Sequence, residues 1–210
     1  MTYDFVYLAS QSPRRRQLLD QIGVRHELLL PAPEEDAEAL EAHLAREAPA
    51  DYCARVTRLK LEAAVARWRV RRLQPAPILC ADTTVALGLR IFGKPEDAAQ
   101  AAATLTHLAG RTHRVITAVA VARPGRGAAW GIDERLCIST VRIAHLAPRD
   151  IADYVASGEP FGKAGAYAIQ SRLAAWIERI AGSYSGIMGL PLHETAQLLA
   201  EAGVTLRMRP

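Results

Sequence analysis

Cysteine is scarce in this 210-residue chain: Cys53, Cys80 and Cys137 are its three, far apart and odd in number. No CxxC pair and no Cys/His zinc spacing occurs, which argues against a disulfide framework or a zinc centre. The three read as buried thiols of a reducing compartment. The histidines (His26, His43, His107, His113, His145 and His193) share no ligand spacing and are read as structural or surface residues. No apolar run approaches 18 residues, and no basic-then-apolar leader opens the chain. Neither a signal peptide nor a membrane span is expected, and the cytoplasm is the default. Charge of one sign is not dominant: 26 basic against 22 acidic residues give +4. That suits an anionic small ligand or plain solubility. No basic tract is interleaved with aromatics, so nothing here calls for nucleic acid. Internal repeats and low-complexity tails are also lacking.

What is present is half hydrophobic and 23% charged, enough for one compact domain or two small lobes sharing a cleft. The most informative stretch runs from Leu8 to Arg16, Leu-Ala-Ser-Gln-Ser-Pro-Arg-Arg-Arg. Residues 5–8 are β-formers and residues 17–22 are helical, with Gly23 as a stop. Ser12 suits the N-cap and Pro13 the first helical position. A loop at a helix N-terminus favours an anion, and Ser10, Ser12 and the arginine forks match phosphate oxygens. An ordinary helix start with solvated arginines is the competing reading.

Further along, residues 25–30 predict a second strand, followed by the acidic cluster Glu34-Glu35-Asp36. That cluster is either a solvated loop or a metal-facing carboxylate. Apolar spacing predicts a helix over 49–73, with Lys60 beside its stripe as a snorkelling lysine and arginines at its C-terminal end. Residues 78–81 predict a buried strand ending in Asp82-Thr83-Thr84-Val85, which puts Asp82 where α/β sites often lie; an Asp that caps the next loop is the alternative. The near-Walker segment Gly88 to Lys94 is rejected, because Pro95 has no hydroxyl for magnesium and no helix starts directly after the lysine. Residues 87–92 read instead as a tight hairpin, and Lys94 as a turn lysine able to meet phosphate. A helix over 96–108, strands over 113–121 and 128–143 joined by the turn at residues 124–127, a helix from Pro148, a strand-like run over 173–180 and a helix over 191–202 complete the pattern. The class expected is α/β, or mixed α+β, with a large mixed sheet.

Taken together, these pieces resemble the Maf family of nucleoside triphosphate pyrophosphatases. The resemblance rests on Ser10-x-Ser12-Pro13-Arg14-Arg15, Ala81-Asp82-Thr83-x-Val85, Gly93-Lys94-Pro95, Gly158-Glu159-Pro160 through Lys163-Ala164-Gly165-Ala166-Tyr167, and Gly182-Ser183-Tyr184 with Gly189-Leu190-Pro191. It implies one domain over 1–210, like inosine triphosphate pyrophosphatases, with an elongated mixed sheet flanked by helices and two lobes around a central cleft. It implies cleavage of a nucleoside triphosphate between the α and β phosphorus and a divalent metal, Mg or Mn. By motif position Asp82 would be the general base. Ser10, Arg15, Glu35, Lys60 and Lys94 would be catalytic or would contact phosphate and metal, with Glu35 and Asp82 as candidate metal ligands. A homodimer is allowed. Arg14, Thr83 and Gln170 match the dTTP/UTP branch rather than the branch acting on 7-methyl-GTP. A Gln amide can pair with both donor and acceptor on a pyrimidine edge. Ser171 departs from the family's usual Gly and is expected to narrow the base pocket.

Two rival classes stand beside this reading. One is a nucleotide-binding regulator of septum formation with little turnover. The other is a nucleic-acid binder using the arginines at 67–72, which predicts steep loss of binding with salt.

Overall fold

The computed structural model describes residues 2–33, 35, 39–125 and 129–206. Its described strands form one seven-stranded sheet. The strands are β1 (Val6–Leu8), β2 (His26–Leu28), β3 (Ile78–Leu87), β4 (Arg90–Phe92), β5 (Thr112–Pro124), β6 (Trp130–Ile143) and β7 (Ile177–Ala181). The order is β2-β1-β3-β5-β6-β7, with β4 also paired to β3. β1 runs parallel to β2 and β3, and the remaining pairs are antiparallel. The class is therefore mixed α/β, as expected. Helices α1 (Pro13–Gln21), α2 (Pro49–Arg71), α3 (Ala98–Leu108), α4 (Pro148–Ala156), α5 (Tyr184–Met188) and α6 (Leu192–Glu201) cover it. No described helix is long and apolar enough to cross a membrane.

Period-two alternation in the long strands decides which helix lies on which face. Leu79 and Ala81 of β3 and Val119 and Val121 of β5 pack with Leu18 and Leu19 of α1 and Leu198 and Leu199 of α6. Ile78 and Cys80 point the other way, to Leu61, Ala64 and Val65 of α2. Further along the first face, Val85 and Val115 join Leu105, Tyr154, Tyr167 and Leu173 in another cluster. Between those two clusters lies the cross-strand pair Thr83 and Thr117. Their hydroxyls are 3.0 Å apart, and Thr117 Oγ1 donates to the Gly186 carbonyl at 2.8 Å. One polar rung thus separates the two apolar clusters.

Several local expectations change. β3 does not end at Asp82 but runs to Leu87, because β5 pairs with it continuously from Ile78 to Ala86. The helix expected from residue 96 begins at Ala98, where Asp97 caps it by accepting from the Gln100 N–H at 2.7 Å. Within the strand-like run over 173–180, Arg172–Trp176 is a 3₁₀ turn that precedes β7. Leu173 and Trp176, three apart, both pack on the same cluster, which is the spacing of such a turn. The 87–92 hairpin and the paired strands β5 and β6 are found. Arg126 and Gly127 of the turn and Ala128 of the strand after it lie outside the described residues, as do Glu34 and Asp36.

Candidate active site

The site opens at a gap in the sheet edge. β1 pairs with β3 only through Tyr7↔Ile78 and Leu8↔Leu79, while β4 begins at Val85↔Phe92 on the same edge. Between these pairings Asp82 and Thr83 face a cleft of about 1160 Å³. Its lining includes the Ser10–Arg15 loop, Lys60, Lys94 and the 162–170 segment, with Glu35, Glu41 and Asp82 as the acids. Six cationic side chains (Arg14, Arg15, Lys60, Arg67, Lys94 and Lys163) oppose those three carboxylates, so the cleft favours an anion.

Alternation sends Asp82 toward α2 and Thr83 toward α1. Lys60 Nζ donates to Asp82 Oδ1 at 2.6 Å and to Glu41 Oε1 at 2.7 Å, and Lys94 Nζ stands 4.0 Å from the same Glu41 oxygen. Burial opposes the charge on Lys60, but Asp82 and Glu41 outweigh it and raise its pKa. Burial likewise opposes ionisation of Glu41, and Lys60, Lys94 and Arg15 together lower its pKa. On the other side Arg15 donates to the Gly189 carbonyl at 2.8 Å, to Ser10 Oγ at 3.0 Å and to Thr83 Oγ1 at 3.5 Å. Arg14 Nε reaches the Met188 carbonyl at 3.4 Å. Carbonyls at the end of α5 therefore compensate two cations that α1's first turn would otherwise disfavour. Burial, then the neighbouring Arg15 charge, lowers the Arg14 pKa. Burial and Arg14 lower that of Lys163 against the pull of Glu159.

The structure brings Ser10, Ser12, Arg14, Arg15, Lys60, Asp82, Thr83, Lys94 and Gln170 to this one cleft. Ser12 holds the N-cap position of α1, but its hydroxyl makes no capping bond, and its N–H donates to Ser10 Oγ at 3.2 Å. Glu35 also lines the cleft, with its carboxylate held by Arg67, at 2.6 Å for the shortest contact, and by the Ala32 N–H at 3.0 Å. The Arg67 hydrogen bonds hold its pKa at about 2. The carboxylate beside Lys60 and Asp82 is Glu41, which sequence reasoning missed; it lies outside the acidic cluster and every recognised motif. Ser171 is a correction. Its hydroxyl donates to the Ala168 carbonyl at 2.8 Å and meets Tyr154 at 3.2 Å, and it does not line the cleft. The 67–72 arginines are partly spent internally: Arg67 is buried and also donates to the Leu29 carbonyl, and Arg71 to that of Leu30. All three cysteines are buried and free.

Among the described residues no cluster of three or more His, Cys, Asp or Glu could hold a metal. Glu41 and Asp82 are oxygen donors of the kind a hard cation takes, and in this structure both meet the Lys60 ammonium.

Residues 5–202 match the family described as Maf-like protein. A dTTP/UTP pyrophosphatase of Polaromonas sp. is 61% identical over 203 residues, covering 97% of this chain and 98% of that one. That of Albidiferax ferrireducens is 60% identical over 200 residues, covering 95% and 98%. Among solved structures, a HAM1 protein from Coxiella burnetii aligns with 95% of this chain and all of that chain at a TM-score of 0.47 and 14% identity. On the family match, which leaves out only a few residues at either end, this chain belongs to the Maf family.

Proposed function

We propose that the chain is a nucleoside triphosphate pyrophosphatase that hydrolyses dTTP and UTP to the monophosphate and pyrophosphate. The observation that carries it is the cleft itself, where Arg15, Lys60 and Lys94 converge on the same opening as Asp82. Relatives of about 60% identity over nearly the whole chain carry the name of that activity. Phosphoryl chemistry on a polyanion asks mainly for positioned cations. Asp82 takes a proton from the attacking water or joins a metal ligand set, and Lys60 orients it. Arg15, held by Gly189 and Ser10, and the exposed Lys94 neutralise charge on the phosphates as pyrophosphate departs.

Glu41 and Asp82 would hold a divalent cation, Mg or Mn, which when bound supplies charge neutralisation and a more acidic water. Arg14, Thr83 and Gln170 line the cleft and form the substrate-selecting set of this reading. The two apolar clusters on either side of the Thr83–Thr117 rung are the two lobes of a single domain. The reading places the enzyme in the cytoplasm, possible as monomer or homodimer. Its test is release of pyrophosphate from dTTP and UTP, with 7-methyl-GTP as competitor. Binding without turnover would favour the regulatory reading instead.

A further inference from the structure

The segment 39–47 brings Glu41 to the site, yet none of its residues is buried. Apolar packing therefore does not hold it. Its anchors come from one face of α2, where Tyr52 and Arg55 are three residues apart. Tyr52 Oη donates to the Glu41 carbonyl at 3.0 Å, and the His43 ring stacks on the Tyr52 ring at 4.4 Å and 5°. The Arg55 fork grips both oxygens of Glu47 at 2.6 and 2.7 Å, and its Nη2 also donates to the Ala42 carbonyl at 2.9 Å. Arg55 further lies over the Tyr52 ring, 5.6 Å from its centroid. The buried Tyr52 fixes Glu41 and His43, and Arg55 fixes Ala42 and Glu47. Both act on the backbone of Glu41 and Ala42, next to the carboxylate that meets Lys60.

We infer that Tyr52 and Arg55 are positioning residues that latch segment 39–47 to α2 and so aim Glu41 at Lys60 and Asp82. The inference rests on the proposed pyrophosphatase reading. A carboxylate displaced by about an ångström loses much of its catalytic value, so the latch shows in turnover rather than in substrate affinity.

The test is a set of kinetic cycles on the full chain, with dTTP as substrate. Arg55→Gln is expected to lower kcat about tenfold with KM within about twofold, and Arg55→Lys, which keeps charge but not the fork, stays impaired. In an Glu41→Gln background, Arg55→Gln should cost less than about twofold more, because both changes remove one function. Arg142→Gln breaks another short Arg–Glu pair, to Glu178, far along β6, and should leave kcat unchanged. Tyr52→Phe deletes one hydroxyl, and faster amide exchange confined to 39–47 is expected. Full multiplication of the Arg55 and Glu41 losses, wild-type kcat in Arg55→Gln, or unchanged exchange in Tyr52→Phe would overturn the inference. Wild-type turnover in Glu41→Gln would overturn it together with the role of Glu41. Failure of the unmutated chain to release pyrophosphate would instead overturn the function on which it rests.

Discussion

Replacing Lys60 with Met would leave Glu41 and Asp82 facing each other in the cleft without the cation that now lies within 2.7 Å of both. Removing one partner of a partly buried charge cluster costs more than the cluster contributes, here about 1–3 kcal/mol after allowance for solvent at the cleft. Chemical denaturation should show that loss, and turnover should fall at least about a hundredfold because Asp82 loses its orienting contact. The positions of Asp82, Arg15 and Lys94 were legible from motifs, whereas Lys60 lies in none of them and was named only through the family resemblance. Glu41 was legible in neither way. The stretch from Glu34 to Glu47 repeats acids (Glu34, Glu35, Asp36, Glu38, Glu41, Glu47) outside any long periodic element. Only the path of the chain along α2 decides that Arg67 takes Glu35 and Lys60 takes Glu41.

At the scale of elements, β5 and the 164–170 segment are joined by His113. Its Nε2 lies 2.7 Å from the Tyr167 hydroxyl, and its Nδ1 is buried with no hydrogen-bond partner among the described residues. Burial pushes its pKa down to about 4 from 6.5. The unfolded chain binds the proton near 6.5 and the folded chain only near 4, so stability holds above that window and falls as pH drops through it. The loss is on the order of 3 kcal/mol. Urea unfolding of His113→Gln at pH 7.5 and 4.5 should show a clearly smaller acid loss than the unmutated chain; an identical loss would contradict this. The Glu35–Arg67 pair, which ties the β2–α2 connection to α2, weakens in a lower window, from about 4.5 to about 2. The same 164–170 segment approaches β3 at Gly165, where φ is +71° and an added Cβ would lie 2.8 Å from Val85 Cγ1. Gly165→Ala should cost about 1–3 kcal/mol in thermal or chemical unfolding and raise KM, since the segment carries Gln170. The long strands and α2 were readable from periodicity. The continuation of β3 past Asp82 was not, because an Asp in a strand reads as its end. The 3₁₀ turn at Arg172–Trp176 was missed because a short apolar run fits a strand and a turn alike.

Across the whole molecule, the cleft exists because β1 is short and β4 starts late on the same edge of β3. Both faces of the sheet can then contribute to one opening: Lys60 from α2 on one side, Arg15 from α1 on the other. Sequence motifs named most of these residues but not the gap, which is a property of strand lengths and pairing. The proposed selection among triphosphates belongs to this scale too, since Arg14, Thr83 and Gln170 come from α1, β3 and the segment beyond α4. Gln170→Glu replaces a donor–acceptor amide by acceptors alone, so kcat/KM for dTTP and UTP should drop about tenfold or more. The most direct measurement is divalent-metal-dependent pyrophosphate release from dTTP and UTP by the unmutated chain and by Asp82→Asn. The account predicts multiple turnovers for the first and a loss of at least about a thousandfold for the second. Near-normal turnover by Asp82→Asn, or no pyrophosphate from either nucleotide, would contradict it.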